Sequence, residues 1–218
     1  MKEKKQPWPT KNAMEQVYEM HLWGGNQHRF YSGEGSHQVE IVKPYLTSVI
    51  SFLTSFNTPI DICDLGCGDF NIGKNLFEYS KNYVAIDIVP KLIDFNKSLF
   101  KAENLAFQCL DIAIDELPMG DCAIVRQVLQ HLSNNEIKLI IEKLYSYKYV
   151  ILTEHLPNGK FNPNKDIISG QGNRLKQQSG VDLLVEPFSF KIKQAKELAS
   201  VNLGKGQGKI VTILYEMD

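Results

Sequence analysis

The sequence predicts an α/β fold in which a mostly parallel β-sheet is covered by helices on both faces. Short apolar runs alternate with helix-patterned stretches through the middle of the chain. The apolar runs are nearly continuous, which is typical of strands buried on both faces. This alternation indicates βαβ units, which place consecutive strands parallel in one sheet. The 218 residues are enough for one substantial domain.

The amino-terminal region is predicted to form two helices separated by a loop. Apolar residues recur at near-helical spacing from Asn12 to about Trp23, where two glycines end the pattern. A second helix is predicted from Val39 to Leu53, with Pro44 in its first turn or at a bend. The segment from Asn26 to His37 is rich in glycine and serine, and we expect it to form a loop.

The remaining elements follow in order. The predicted strands are Ile60 to Leu65, Tyr83 to Asp87, Ala106 to Leu110, Cys122 to Gln127 and Tyr149 to Thr153, and the predicted helices are roughly Gly73 to Tyr79, Lys91 to Leu99 and Asn134 to Tyr147. A polar loop runs from Leu156 to Gly180. Two β-patterned runs, Ala195 to Leu203 and Lys209 to Met217, then flank a glycine-rich turn and predict an antiparallel hairpin at the sheet edge.

Composition argues against several classes of function. The 24 Lys and Arg residues nearly balance the 25 Asp and Glu residues, so no strong field favours a nucleic acid or an anionic membrane. The four cysteines follow no paired zinc spacing, and no bound metal is expected. No export signal or membrane span is visible. We therefore expect reduced thiols and a cytoplasmic protein.

The strongest local signal is the segment DLGCGDFNIG, from Asp64 to Gly73, at the junction of the first strand and the next helix. Glycines such as Gly66 and Gly68 permit a sharp turn and a close backbone approach to a ligand. A pyrophosphate would be repelled by Asp64 and Asp69, and the dinucleotide spacing lacks its third glycine. A cationic ligand fits this turn better, although a glycine turn with Asp64 as a helix cap is the plain alternative.

Acidic residues also end the second and third predicted strands. Asp87 ends the run YVAID and is suited to accept hydrogen bonds from both hydroxyls of a ribose. The alternative is that Asp87 is only a turn residue before Pro90. Asp111 is suited to accept from an adenine amine, with Ile88 and Ile112 on either side of the ring. Because ligands of open α/β sheets bind at the carboxyl ends of the strands, three carboxylates at one edge predict a site there.

The segments DLGCGDFNIG, YVAIDIVP and CLDI resemble motifs of the class I S-adenosylmethionine-dependent methyltransferases. The segments RQVLQHLSN, TEHLP and SGVDLLVEPF, with an early WGG and YSGEGS, resemble a bacterial subgroup of that superfamily. The resemblance covers most of the chain. It implies a Rossmann-like seven-stranded sheet of order 3-2-1-4-5-7-6, mostly parallel with its last strand antiparallel. It also implies an amino-terminal helical lid over residues 1–36 and a methyltransferase domain over residues 37–218.

The resemblance implies S-adenosylmethionine as the cofactor, with S-adenosylhomocysteine as the product. The methionine end would be held at the first glycine turn, the ribose at the end of the second strand and the adenine after the third. A departure from the family pattern is Asp69, which stands where a small residue is common. The residues expected at the cofactor are Asp64, Gly66, Gly68, Asp69, Asp87, Ile88, Asp111 and Ile112, together with Arg126 and Gln127 from the fourth strand.

Candidate catalytic groups follow the fourth and fifth predicted strands. His131 and His155 are expected at the edge where the methyl group would lie, and Glu154 adjoins His155. A histidine with an ordinary pKa near 6.5 can accept a proton from a hydroxyl acceptor at neutral pH. The alternative for each histidine is packing or bonding to the backbone, particularly for His131 beside the helix cap Ser133.

The amino-terminal helix and loop are predicted to cover the cofactor. Trp23, Tyr31 and Ser36 are expected to wall an acceptor pocket or to exclude water, although the aromatics alternatively pin the helix to the core. The loop from His155 to Gly180 mixes amides with basic residues and suits a hydroxylated or phosphorylated molecule, unless it is simply solvated.

The predicted function is methyl transfer to a small-molecule or glycan-type acceptor at oxygen. The acceptor is expected to be a small molecule, a sugar or a phosphorylated metabolite, with no nucleic-acid or membrane partner. An NAD(P)-dependent oxidoreductase on a similar sheet and a noncatalytic cofactor-binding module are the alternatives. Methylation of DNA amino groups is disfavoured, because Arg126 to Leu129 occupy the position at which DNA amino-methyltransferases carry a proline-containing motif.

Overall fold

The computed structural model describes residues 8–25 and 30–218. Residues 1–7 and 26–29, which include the polar start and part of the predicted lid loop, lie outside the described residues. The helices are α1 (Thr10–Glu19), α2 (Val39–Leu53), α3 (Pro90–Leu99) and α4 (Asn134–Leu144), and the strands are β1 (Ile62–Leu65), β2 (Tyr83–Asp87), β3 (Leu105–Cys109), β4 (Cys122–Arg126), β5 (Tyr149–Leu156), β6 (Gln194–Asn202) and β7 (Lys209–Glu216).

The seven strands form one sheet in the order β3-β2-β1-β4-β5-β7-β6. β1 to β5 pair in parallel, and β7 runs antiparallel to both β5 and β6. The predicted Rossmann-like fold and strand order are therefore confirmed. β5 extends three residues beyond its predicted end at Thr153, because it pairs with β7 along its whole length to Leu156.

The third strand differs from the prediction of a buried strand. β3 lies at the edge of the sheet, and Phe107 is its single buried residue. An edge strand is covered by neighbours on one side only, so the apolar run near Ala106 does not become core. Its carboxyl end nevertheless reaches the same sheet edge as β1 and β2.

The predicted helix from Gly73 to Tyr79 is wrong as an α-helix. The chain instead forms two short 3-10 helices, Gly73–Asn75 and Phe77–Tyr79. The Asn75 side chain donates to the carbonyl of Asn71 over 2.9 Å. This bond competes with the regular backbone pattern of an α-helix, as asparagine commonly does.

α1 is shorter than predicted, whereas α2 has the predicted bounds, Val39–Leu53. α1 ends at Glu19, before the predicted end at Trp23, because His21 adopts a left-handed conformation with φ of 51°. Pro44 lies inside α2 in its second turn, so it is tolerated beyond the first turn as well. None of the helices within residues 8–25 and 30–218 is long and apolar enough to cross a membrane.

The sheet separates two hydrophobic cores, and alternate strand residues face opposite ones. Tyr45 and Val49 of α2 pack on one face in the same cluster as Ile151. On the other face, α4 packs against a cluster that contains Leu152. The alternation along β5 therefore directs His155 to the α2 face and Glu154 to the α4 face.

Candidate active site

A cavity of about 960 Å³ lies at the carboxyl ends of the parallel strands. Its floor includes Gly66 after β1, Asp87 at the end of β2 and Arg126 at the end of β4. α1, the segment from Ser32 to Ser36 and the turn between β6 and β7 complete the walls. This is the position at which open α/β sheets bind ligands, and its size suits a cofactor together with a small molecule.

The turn after β1 depends on two glycines. Gly66 has φ of 89° and Gly68 has φ of 57°, a region that L-residues with side chains rarely adopt. A Cβ atom on Gly66 would overlap the Val128 side chain, and one on Gly68 would overlap Ser32. The turn is therefore packed closely on both sides while its backbone lines the cavity.

Asp87 connects the glycine turn to the end of β2. Its Oδ2 accepts from the backbone N–H of Gly68 over 3.1 Å, and its Oδ1 accepts from that of Val89 over 3.1 Å. The side chain lines the cavity although it is only 8% exposed. Burial raises the pKa of Asp87 to about 6, so it is mostly ionised at pH 7 and can accept further hydrogen bonds from a ligand.

Asp64 lies deeper in the same cavity. Its Oδ2 accepts from the hydroxyl of Tyr83 over 2.9 Å. Burial raises the pKa of Asp64 to about 7, with the Asp87 charge adding to the shift and the Tyr83 bond and Arg126 opposing it. A cationic ligand group beside this carboxyl would favour its ionised form.

The residues after β3 form the far end of the cavity. Asp111, Ile88 and Ile112 all line it. One oxygen of Asp111 accepts from the backbone N–H of Ala113 over 2.9 Å, which fixes the carboxylate at the start of a turn. The two isoleucines provide apolar surface on the same wall, which suits a planar aromatic ring.

The structure places Asp69 differently from the sequence prediction of a cofactor contact. Asp69 is absent from the cavity lining, and its Oδ2 accepts from the Ser32 backbone N–H over 3.0 Å and contacts His37 Nε2 at 2.6 Å. Its backbone N–H donates to Ser32 Oγ over 2.8 Å. Asp69 therefore holds the amino-terminal segment, because the turn directs its side chain away from the cavity.

Arg126 and Gln127 both line the cavity where β4 ends. The Arg126 guanidinium donates to the Gly35 carbonyl over 2.6 Å, to Ser36 Oγ over 3.2 Å and to Gln127 Oε1 over 3.2 Å. It also lies over the Tyr45 ring at 4.8 Å from its centroid. Arg126 thus fastens the segment at Gly35 and Ser36 to the sheet.

Backbone conformation at Gln127 is unusual. Its φ of 56° lies in the left-handed region, and its N–H donates to the Thr153 carbonyl of β5 over 2.7 Å. Such strained backbone in a residue other than glycine is typical of functional sites. The conformation turns the chain sharply from β4 into the wall of the cavity.

Two of the predicted lid residues line the cavity and one does not. Trp23 and Ser36 line it, and the Trp23 ring packs against His131 with centroids 4.9 Å apart. Tyr31 lies outside the lining, stacks on His37 at 4.2 Å and donates to Glu34 over 2.8 Å. The Tyr31 ring therefore packs within the amino-terminal segment, against His37 and Glu34, and does not wall the cavity.

Both ring nitrogens of His131 have partners. Nδ1 lies 2.9 Å from the Gly172 carbonyl, to which it donates, and Nε2 lies 3.1 Å from the Gln130 side-chain nitrogen. Burial lowers the pKa of His131 to about 4, so the ring is neutral at pH 7. His131 lines the cavity, but its engaged nitrogens make it a poor proton acceptor.

His155 has a more open arrangement. Its Nε2 donates to the backbone carbonyl of Gln207 over 2.7 Å, which leaves Nδ1 with the lone pair in the neutral ring. Burial lowers its pKa from the ordinary value. The ring lines the cavity on the α2 face of β5.

Glu154 does not stand in the predicted catalytic position. It lies outside the cavity lining and is 2% exposed, because the alternation of β5 directs it to the α4 face. Among the described residues neither of its carboxylate oxygens has a partner at good hydrogen-bond geometry, although the backbone N–H groups of Leu129 and Gln130 lie close enough to lower its pKa. Burial raises its pKa to about 8, which the charge of Arg174 opposes only partly.

Arg174 is one of the basic residues of the long polar loop from His155 to Gly180, and the structure gives it a structural position. It is 1% exposed and donates to the carbonyls of Lys165, Leu129 and Leu132 over 2.8, 3.0 and 2.7 Å. A further bond of 2.8 Å reaches Asn134 Oδ1. Arg174 therefore ties the long loop to the turn that carries His131, and no local sequence signal distinguished it from a solvated arginine.

The sequence analysis also missed the contribution of α1 to the cavity. Thr10, Met14 and Tyr18 line it, and the Tyr18 hydroxyl lies 3.0 Å from Ser32 Oγ. Gln171 bonds to the Leu22 carbonyl over 3.0 Å, so the long loop meets the end of α1 above the site. The apolar spacing of α1 was the available signal, but it did not reveal which surface the helix covers.

Within the described residues, no group of three or more His, Cys, Asp or Glu side chains is arranged to hold a metal ion. The cysteines are free thiols, and Cys63, Cys67 and Cys122 are buried while Cys109 is exposed. The site is therefore built from carboxylates, glycines, amides and histidines.

Residues 63–145 match a family model described as a methyltransferase domain. The malonyl-[acyl-carrier protein] O-methyltransferase of Acetivibrio thermocellus is 38% identical over 60 residues. That match covers 27% of this chain and 21% of the relative, so the chain aligns with about a fifth of the length of the curated relative it matches.

Solved structures of methyltransferases have the same fold. The N-methyltransferase NodS from Bradyrhizobium japonicum, in complex with S-adenosylhomocysteine, has a TM-score of 0.67 at 11% identity, with 94% of this chain and 98% of that chain covered. Human N-acetylserotonin methyltransferase, in complex with S-adenosylmethionine, has a TM-score of 0.59 at 19% identity, with 96% of this chain and 60% of that chain covered.

Magnesium protoporphyrin IX methyltransferase from Synechocystis, also with bound S-adenosylmethionine, has a TM-score of 0.59 at 14% identity, covering 98% of this chain and 100% of that chain. At these identities the likeness is one of fold. The chain thus has the fold of S-adenosylmethionine-dependent methyltransferases and contains, over residues 63–145, a segment that matches a methyltransferase domain.

Proposed function

We propose that this protein transfers a methyl group from S-adenosylmethionine to a hydroxyl of a small molecule. The observation that carries the proposal is the convergence of Asp64, Asp87 and Asp111 on one cavity at the ends of β1, β2 and β3. The methyltransferase-domain match and the fold of the solved relatives support the same activity.

The residues present fit this cofactor. The turn at Gly66 and Gly68 exposes its backbone to the cavity, and the carboxyl of Asp64 suits an α-ammonium group. Asp87 would accept hydrogen bonds from the ribose hydroxyls. Asp111 would accept from the adenine amine, with Ile88 and Ile112 against the ring. A dinucleotide pyrophosphate would instead meet carboxylates at the glycine turn, where it needs donors.

When bound, the cofactor supplies an electrophilic methyl group on a positively charged sulfur. The protein contributes by holding the acceptor oxygen in line with that methyl group, an effect that is capable of several kcal/mol. The lid fastened by Arg126 excludes water from the site. In that reaction the acceptor hydroxyl would lose its proton, and a side chain of the protein would take it up.

We assign the base to His155 rather than His131. The bond from His155 Nε2 to the Gln207 carbonyl fixes a tautomer whose Nδ1 accepts the proton. In His131 both nitrogens are already engaged, so that ring is assigned to the wall of the site with Trp23. Glu154, on the opposite face, is not part of this assignment.

The experiment that tests the proposal compares the binding of S-adenosylhomocysteine and NAD by titration calorimetry. We expect micromolar binding of S-adenosylhomocysteine and no measurable binding of NAD. Tight binding of NAD alone would replace the proposal with an oxidoreductase. Binding of S-adenosylhomocysteine without turnover of the methyl donor, across a broad panel of acceptors, would indicate a noncatalytic binding module.

A further inference from the structure

One part of the cavity extends beyond the cofactor contacts proposed above. This acceptor end lies between α2, the segment from Ser32 to Ser36, the ends of β4 and β5 and the turn that follows β6. It is lined by Gln38, Ile41, Gln127, His155, Asn202 and Gln207. Because His155 and Ile210 are paired in the β5–β7 register, the proposed base faces this part of the cavity.

The charges around the cavity disfavour an anionic acceptor. Arg126 is the single Lys or Arg among the described lining residues, and its guanidinium is already bonded to Gly35 and Ser36. Glu34 and Glu40 line the cavity and are exposed to solvent. A phosphate group entering here would meet two carboxylates and no available cation, so its charge would have no partner among the described lining residues.

The basic residues of the long loop do not correct this imbalance. Lys160, Lys165 and Lys176 are exposed and absent from the cavity lining, and Lys165 donates to the Gln177 carbonyl over 2.8 Å. Arg174 is buried beneath the loop and committed to backbone carbonyls. None of these four cations is placed to hold a phosphate at the acceptor end.

The groups that do face the acceptor end are amides beside apolar side chains. Gln38, Gln127, Asn202 and Gln207 contribute four amide groups to the lining. Gln38 Nε2 already donates to Glu34, and the side-chain oxygens of Gln127 and Asn202 already accept from Arg126 and from the Gly204 N–H. The Gln38 oxygen, the NH₂ groups of Gln127 and Asn202 and the Gln207 side chain are left to accept from a ligand and to donate to it. Ile41 and Ile210 add apolar surface. Hydroxyl groups also both donate and accept, so this wall matches a molecule with several hydroxyls and intervening C–H faces.

We infer that the acceptor end takes an uncharged, polyhydroxylated molecule of the sugar class and discriminates against its phosphorylated form. This inference rests on the proposed function, since it names the acceptor of that reaction. It assigns Asn202 and Gln207, from the turn between β6 and β7, to acceptor recognition.

The test measures S-adenosylhomocysteine release from S-adenosylmethionine with matched probes. The neutral probes are the methyl glycosides of glucose, galactose, mannose, rhamnose and N-acetylglucosamine, and the charged probes are the corresponding sugar phosphates. We expect turnover with at least one neutral probe and at least tenfold lower kcat/KM for its phosphate. Turnover restricted to phosphates or to amines, or no turnover with any neutral probe, would overturn the inference.

Two pairs of variants locate the recognition. Asn202→Ala and Gln207→Ala should each lower kcat/KM for the neutral probe by about 3- to 10-fold, as expected for a lost neutral hydrogen bond. Lys160→Ala and Lys176→Ala should leave kcat/KM for the neutral probe unchanged. A larger loss of kcat/KM in the lysine variants than in the amide variants would place the acceptor on the long loop instead. Calorimetric binding of S-adenosylhomocysteine, measured separately, distinguishes failure of this inference from failure of the proposed function.

Discussion

The backbone N–H of Gly68 donates to Oδ2 of Asp87 over 3.1 Å, joining the glycine turn after β1 to the end of β2. The two residues lie 19 positions apart in the chain and both line the cavity. One carboxylate therefore fixes the turn and also presents its remaining lone pairs to a ligand. Cofactor binding and the shape of the turn should depend on the same side chain.

The first prediction concerns Asp87→Asn. The substitution keeps the size of the side chain but removes its charge and replaces one acceptor oxygen with a donor. We expect binding of S-adenosylhomocysteine to weaken by about 1 to 3 kcal/mol, measured by calorimetry. Asp94→Asn, at an exposed position of α3, is the matched control and should bind as the wild type does. Equal affinities for both variants would remove Asp87 from the cofactor site.

A second prediction concerns the hydrogen bonds by which Arg126 holds the segment at Gly35 and Ser36. Arg126→Lys removes the planar guanidinium group, which donates hydrogen bonds to the Gly35 carbonyl and to Ser36 Oγ at the same time. Amide hydrogen exchange of residues 33–38 should accelerate by about tenfold, because the segment opens more often. Ser36→Ala removes one acceptor and should produce a smaller change. Unchanged exchange in Arg126→Lys would show that the contacts of Asp69 with Ser32 and His37 suffice to hold this segment.

The third prediction is a pH dependence of stability that arises from Glu154. Its pKa is raised to about 8 in the folded state, above an unfolded value near 4.3. A raised carboxyl pKa stabilises the fold fully below the unfolded value, and this stability is lost as pH rises through the folded value. The raised pKa values of Asp64 and Asp87 also make stability fall as pH rises. Their contributions end at lower pH, at about 7 for Asp64 and about 6 for Asp87.

Of these three carboxyl groups, Glu154 should therefore contribute most to the pH dependence of the unfolding free energy between pH 7 and 8. The free energy of unfolding should fall by up to about 1.4 kcal/mol per pH unit in that range, measured by urea denaturation. Glu154→Gln should flatten the dependence, whereas Glu142→Gln, on the exposed side of α4, should leave it as in the wild type. A slope that persists in Glu154→Gln would contradict the assignment.

A fourth prediction tests the buried pair of Arg174 and Glu154. Arg174→Met leaves several backbone carbonyls without donors and removes a cation whose charge acts on Glu154, so we expect a loss of about 3 to 5 kcal/mol in unfolding free energy. At about pH 9, where Glu154 is mostly ionised, adding Glu154→Gln should recover part of that loss, and a double-mutant cycle at this pH measures the coupling. Lys176→Met is the control on the same loop. Strict additivity of the two buried substitutions would mean that the charges do not interact.

The fifth prediction separates the two histidines. With an acceptor that supports turnover, His155→Ala should lower kcat by about 10²- to 10⁴-fold, the range expected for loss of a general base, without a matching change in cofactor affinity. His131→Ala should instead weaken binding of S-adenosylhomocysteine, because the ring packs against Trp23 in the cavity wall. The reverse pattern would assign the proton transfer to His131.

Much of the fold was predictable because the apolar periodicity is a local property. Buried strands such as Tyr83 to Asp87 read as continuous apolar runs, and the carboxylates at their ends stand beside them in sequence. The strand order came from the resemblance of motifs rather than from periodicity. The short 3-10 helices after Gly73 were not predictable, because the Asn75 side chain competes with the backbone only once the turn has formed.

The sequence by itself determined the element order, the glycine turn and the presence of carboxylates at Asp64, Asp87 and Asp111, since each depends on neighbouring residues. The tertiary structure decided which side chains enter the cavity. Alternation along β5 separates Glu154 from His155, and the direction of one turn removes Asp69 from the site. The physical reason is that side-chain direction and burial are set by contacts with residues distant in the chain, which local sequence patterns do not encode.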